Sequence, residues 1–174
     1  APDFRAISPL GKVPVLRDDD FTISDSSVIV AYLEKRHPQP ALYPESATEL
    51  ARALWFEEFA DTRLIESFGP VFFERRIATR FFQREPDSAL IQECLEVRIP
   101  PAFDYLESQC TEGWLTGSFT IADVAVGAMF RTHALAGEQV DSTRWPRLET
   151  YVRRLFDHPS FVSAFEAEDA MLSA

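Results

Sequence analysis

Only the start of the chain carries a β-like pattern, a short apolar run and a partner segment across a polar turn. Val13-Pro14-Val15-Leu16 reads as a short buried strand, Arg17-Asp18-Asp19-Asp20 as a hairpin turn, and Phe21-Thr22-Ile23 as the returning strand. Pro14 has no N–H to give a ladder, which places it at a sheet edge or a strand start. A helical pattern follows. Ser24, Asp25 and Ser26 are all N-cap residue types, and Val28, Ile29, Tyr32 and Leu33 beyond them share one helical face. This helix is predicted to stop near Arg36, because Pro38 restricts the backbone of His37.

The segment from His37 to Ser46 holds three prolines and reads as a linker. From Ala47 onward the pattern is helical throughout. Leu50, Leu54, Trp55 and Phe59 mark one face of a helix expected to end near Ser67, ahead of Gly69-Pro70. Val71 to Gln83 forms a second helix or a kinked continuation, broken by Glu85-Pro86-Asp87. Ser88 to Gln109 is amphipathic, and Pro100-Pro101 must kink it or divide it. Thr120 to Leu135 reads as a buried helix. Pro146 suits the first position of a helix to Asp157, and His158-Pro159 opens a last one through Phe161 and Phe165. A two-stranded hairpin is marginal in water. Further strands are therefore expected from chain upstream of Ala1.

Composition fits this pattern. Of 174 residues, 46% are hydrophobic, with fifteen Phe and three Trp, enough for a substantial core. Six glycines are too few for a turn-rich all-β fold. The formal charge of −11, with no run of Lys or Arg to reverse it locally, disfavours nucleic acid as a partner. No apolar run approaches the roughly twenty residues that cross a bilayer, so no membrane partner is expected. Cys94 and Cys110 match no zinc or redox spacing, which favours a reducing, cytoplasmic setting and no metal.

Two strings carry the candidate chemistry. Ser8-Pro9-Leu10-Gly11-Lys12-Val13-Pro14-Val15-Leu16 is followed closely by Ile23-Ser24-Asp25-Ser26-Ser27-Val28-Ile29 and Tyr32-Leu33. In that order they resemble the glutathione S-transferase family, bacterial-type. That family shows Pro-x-Gly-x-Val-Pro-x-Leu, then an acidic residue or Gln and a Ser or Thr opening a helix. Asp25 is one methylene shorter than the more usual Glu or Gln.

The resemblance implies an α/β thioredoxin-like domain, partial here, followed by an all-α helical domain. Residues 1–37 would be the C-terminal half of the first, 38–46 the linker and 47–174 the helical domain. It also implies a cis Val13–Pro14 bond, which leaves the Val13 N–H and C=O open at a sheet edge. An extended tripeptide can pair there as an added strand. Glutathione, as co-substrate, is the expected ligand. Ser26 would meet its γ-glutamyl carboxylate at a helix N-terminus, Asp25 would face its ammonium, and Lys12 a further carboxylate. The expected activity is conjugation of the glutathione thiolate to a hydrophobic electrophile, in detoxification, by a homodimer. The family's activating Tyr, Ser or Cys would lie before residue 1, so no catalytic residue is assigned. Two alternatives stay open: a non-catalytic scaffold that binds a partner protein, and a glutathione-dependent thiol transferase or reductase.

A second signature, Gly117-Ser118-Phe119-Thr120-Ile121-Ala122-Asp123, reads as a capping box. Thr120 is the N-cap, Asp123 stands three residues on, and Phe119 is placed to staple onto Val124. It resembles the family's N-capping motif on a buried core helix, so Asp123 is expected to serve folding rather than catalysis. His37, His133 and His158 have no metal-ligand spacing and read as cap or surface residues. Phe68, Phe72, Phe73, Phe81 and Phe82 form a stripe that would suit an electrophile pocket, although such stripes are more often core. Asp61 and Arg63, two apart on a helix, do not face each other.

Overall fold

In the computed structural model, residues 2–172 are described, and the chain divides into two units, Ala1–Glu45 and Ser46–Ala174. The first opens with a short helix α1 (Pro2–Ile7), which the hydrophobic pattern did not announce. It ends where the Ser8 N–H donates to the Phe4 carbonyl. Strands β1 (Val15–Asp18) and β2 (Phe21–Ser24) pair antiparallel, with Val15 opposite Ser24 and Asp18 opposite Phe21. The hairpin turn is thus shorter than expected. Arg17 and Asp18 belong to the strand, and Asp19 takes the positive φ of the turn at 50°.

Helix α2 (Ser26–Arg36) stops at His37, as Pro38 requires. Tyr32 on this helix donates its hydroxyl to Asp18 at 2.6 Å, and Arg36 pairs with the same carboxylate at 3.2 Å. The hairpin and the helix are thereby tied together. The proline-rich stretch is also held down, because the Glu34 carboxylate accepts the N–H groups of Leu42 and Tyr43.

In the second unit, one uninterrupted helical run spans residues 47–82: α3 (Ala47–Phe59), α4 (Ile65–Phe72) and α5 (Thr79–Phe82), joined by two wide π turns, Ala60–Leu64 and Phe73–Ala78. Gly69-Pro70 does not end the helix. Pro70 lies inside a continuing α4, and Arg98 Nη1 stands 3.5 Å from the Glu66 carbonyl that a residue-70 N–H would otherwise meet. A third π turn, Cys94–Arg98, joins α6 (Ser88–Glu93) to α7 (Ile99–Gln109), with Pro100 and Pro101 directly after it.

Ala53, Phe56, Ala60 and Leu64 are buried, whereas Leu54 and Trp55, on the apolar face that the period predicts, are exposed. The core gathers round α8 (Ile121–Leu135), which packs against α3, α4 and α9 (Pro146–Phe156). Phe68, Phe103, Phe130, Leu148 and Tyr151 fill it. Helix α10 (Pro159–Leu172) closes the order, started by a contact between His158 Nδ1 and the Ser160 hydroxyl at 2.8 Å.

The capping box forms as its spacing predicts. Asp123 is fully buried and accepts from the Thr120 N–H at 3.0 Å, the Leu115 N–H at 3.2 Å and the Tyr151 hydroxyl at 2.8 Å. Burial pushes its carboxyl pKa up, and these bonds pull it back. Phe119 stacks on His158 with centroids 4.0 Å apart and meets Trp114 and Phe161 edge-on. The phenylalanine stripe splits: Phe68 is core, while Phe81 and Phe82 are exposed at 66% and 63%.

Candidate functional site

The loop before β1 is built from two short interactions. The Gly11 N–H donates to the Ser8 carbonyl at 2.8 Å, closing a tight turn that needs the positive φ of Gly11, 69°. The Ser8 hydroxyl, fully buried, donates to the Lys12 carbonyl at 2.7 Å. Sequence reasoning passed over Ser8. Its signal was the Ser-Pro-x-Gly turn itself, in which a small hydroxyl can turn back onto the loop.

This loop delivers Val13 and Pro14 joined by a cis bond, as the resemblance implies. The Val13 side chain is 78% exposed, and its backbone groups have no hydrogen-bond partner among the described residues. The Asp25 N–H donates to the Pro14 carbonyl at 3.4 Å, which brings the start of α2 against the Val13–Pro14 turn. Eleven residues apart in sequence, the two candidate strings meet here.

Asp25 is the N-cap of α2. Its carboxylate accepts the Val28 N–H at 3.2 Å, and its carbonyl accepts the Ile29 N–H at 3.0 Å. Its backbone lies at φ 89° and ψ 128°, a region side-chain-bearing residues rarely enter, at a cost of order 1–3 kcal/mol. Backbone strain of this kind gathers at ligand-binding positions. Ser26 is then the first helical residue, exposed, with its N–H at the positive end of the α2 dipole. Lys12 is exposed, and its ammonium makes no ion pair among the described residues. Lys12, Val13, Pro14, Asp25 and Ser26 thus sit on one short stretch of the first unit. Together they offer a free backbone edge, a carboxylate and a helix N-terminus.

The other sequence candidates take different places. Cys94 and Cys110 are buried free thiols; burial raises both pKa values, that of Cys110 to about 12. His37 caps α2 and His158 starts α10. His133 is neither cap nor surface residue. It is 3% exposed among Phe68, Phe103 and Phe130, since the last turns of α8 face inward. Arg63 reaches the Arg98 carbonyl at 3.2 Å, and Asp61 is exposed on the same π turn. No cluster of three or more His, Cys, Asp or Glu suited to a metal occurs among the described residues, and none of their helices is long and apolar enough to cross a membrane.

Known proteins match this chain in sequence and in architecture. The family description "Glutathione S-transferase, N-terminal domain" matches residues 1–41. Glutathione S-transferase 1 of Manduca sexta is 29% identical over 154 residues, covering 87% of this chain and 67% of that protein. A glutathione S-transferase structure from Rhodospirillum rubrum superposes with a TM-score of 0.84 at 25% identity, over 92% of this chain and 73% of that one. A glutathione transferase from Methylococcus capsulatus does so at 0.75 and 29%, over 97% and 79%. With the Val13–Pro14 turn, the Asp25-Ser26 helix start and the Thr120/Asp123 box in place, residues 1–41 match the N-terminal domain of glutathione S-transferases and the chain as a whole is similar to these proteins. Its fold is theirs: a thioredoxin-like first part, followed by a helical bundle.

Proposed function

We propose that the chain binds glutathione along Lys12, Val13, Pro14, Asp25 and Ser26 and belongs to an enzyme that transfers the glutathione thiolate to an apolar electrophile. The single observation that carries this is the bond from the Asp25 N–H to the Pro14 carbonyl, which sets an open strand edge beside a helix N-terminus. The Val13 N–H and C=O would pair with the cysteinyl unit of the tripeptide. The γ-glutamyl carboxylate would take the Ser26 hydroxyl and N–H, where the dipole favours an anion. One Asp25 oxygen caps α2, which leaves the other for the ligand's ammonium. Lys12 would meet the glycyl carboxylate. A thiolate nucleophile needs a group that lowers the thiol pKa, and no residue of this chain is assigned that role.

Exposed apolar residues on α2 (Val28, Leu33) and on α3 (Leu54, Trp55) support the homodimer expected of the family. Light scattering at micromolar concentration is expected to give twice the chain mass, and a monomer removes this part. The cytoplasmic setting and a detoxifying role belong to the same proposal. A thiol-exchange role for Cys94 or Cys110 is disfavoured by their burial and raised pKa values.

Titration calorimetry tests the site. Glutathione is expected to bind, and Ser26→Ala to weaken it by about 1–3 kcal/mol, the worth of a charge-assisted bond. Unchanged affinity in that variant refutes the Ser26 assignment. Absence of glutathione binding to the intact protein favours the scaffold alternative.

A further inference from the structure

The last turns of the long helical run carry a charge opposite to that of the whole chain. Residues 73–84 hold four Arg and one Glu, in a protein of net charge −11. Two of these arginines hold the fold. Arg75 clamps the end of α8: its Nη1 donates to the Ala136 carbonyl at 2.8 Å and pairs with Glu138 at 2.6 Å. Arg84 pairs with the buried Glu74 at 2.6 Å, and the same carboxylate accepts the Asp87 N–H at 2.9 Å. The link from α5 to α6 is thereby fastened onto the π turn.

The other two are differently placed. Arg76 and Arg80 are exposed and make no ion pair among the described residues. Four apart on the run, they are surface neighbours. Aromatic rings continue the patch. The Arg80 guanidinium lies 5.5 Å from the centre of the Phe81 ring, and that of Arg84 lies 5.8 Å from the centre of Phe73. Phe73 in turn meets Phe82 with centroids 5.7 Å apart. Phe81 and Phe82 nevertheless stand 66% and 63% exposed. The Glu74–Arg84 pair holds this cationic and aromatic face in place, so little freedom is lost when something binds to it.

Its chemistry selects the partner. Two guanidinium groups without a counter-charge call for carboxylates or phosphates. Rings this far out of the surface give a small molecule nothing to sink into, since pockets for such ligands are concave. A chain segment lying across several residues can cover them. A membrane or a nucleic acid would bring a continuous anionic surface against the acidic remainder of the molecule. A short segment meets only the local field, because exposed charges are screened beyond about 8 Å. We propose that the face of Arg76, Arg80, Phe81 and Phe82 is a docking surface for an acidic peptide segment of a partner protein, with carboxylates on the two arginines and an aromatic side chain on the two rings. The surface belongs wholly to the helical unit and shares no residue with the loop of Lys12 to Ser26.

The probe is the acetylated and amidated peptide Asp-Glu-Phe-Glu-Asp-Phe-Glu. It has two controls, one with every acid replaced by its amide and one with each Phe replaced by Ala. Ligand-observed NMR titration of the intact protein is expected to show saturable binding of the probe that weakens as salt is raised. Each control is expected to bind at least about tenfold more weakly. Arg76→Gln with Arg80→Gln is expected to remove the preference for the acidic peptide over its amide control, and Phe81→Ser with Phe82→Ser to remove binding. Excess glutathione is expected to leave the probe bound. Equal affinity for the probe and its amide control overturns the proposal, as does an absence of saturable binding. Displacement by glutathione also overturns it, because the peptide would then sit in the first unit. If a variant fails to fold, the three peptides on the unmodified protein decide by themselves.

Discussion

The two units of this chain differ in what holds their key residues in place. In the first, only Ser8 and Ile29 are buried among the described residues through Glu45, and the candidate site is a matter of backbone: a cis bond, a positive φ at Asp25 and a helix start. In the second, Phe68, Phe103, Phe130, Leu106, Leu148 and Tyr151 are all but inaccessible, and each such side chain contributes about 1.5–3 kcal/mol of burial. The lesson is a division of labour. Substitutions in the helical unit should be read out as stability, and those in the loop and the α2 start as binding.

Four substitutions or titrations test that division, beginning with the largest effect. Asp123→Ala strips three donors of their acceptor, the buried Tyr151 hydroxyl and Thr120 N–H and the half-buried Leu115 N–H. A loss on the order of 3–5 kcal/mol in urea unfolding is expected. A cost below about 1 kcal/mol would mean that the α8 cap does not organise the bundle.

Next comes acid. The folded pKa of His133 lies near 4, against 6.5 for the free side chain, so between these values the unfolded chain binds the extra proton. The stability from keeping this ring neutral is complete above about pH 6.5 and is lost as pH falls toward 4, amounting to about 3 kcal/mol. Urea midpoints measured across that window should fall for the natural chain and flatten in His133→Leu. Parallel curves would place the ring in contact with water.

Gly127→Ala should cost somewhat less. A Cβ there would lie 2.3 Å from Cζ of Phe161, which is itself buried, so α8 and α10 must move apart or the ring must turn. About 1–3 kcal/mol is the usual cost of overpacking, read from the same unfolding curves. Ser26→Ala is expected to leave stability within about 0.5 kcal/mol, since Ser26 is exposed and Asp25 is the cap. A large stability loss there would break the division from the other side.

Much of this was legible without coordinates, because it depends on neighbours in sequence. The stop of α2 before Pro38, the Thr120/Asp123 box and the helix start at Pro146 follow from steric and hydrogen-bond rules that act over a few residues. The five candidate site residues are different: spacing alone makes Val13-Pro14 an ordinary strand start and Asp25-Ser26 an ordinary N-cap, and only the resemblance of the two strings to a known family implies a ligand there. Where the local reading fails, the cause is shared too. Leu54 and Trp55 lie on the apolar face that a 3.6-residue period predicts, but the face that α3 buries is that of Ala53, Phe56 and Glu57. Gly69-Pro70 predicts an end or a kinked continuation, and the run continues through it.

The amino-acid order alone determined the helical character of the second unit, the hairpin and the identity of the residues that cap and turn the backbone. Only the tertiary structure decided that the Pro14 carbonyl and the Asp25 N–H meet, and that His133 faces the core with a buried ring nitrogen that has no partner among the described residues. Short-range backbone preferences are encoded where they act. The environment of a side chain is set by elements far away in sequence, here the Arg75 clamp, Phe68 and the face of α9.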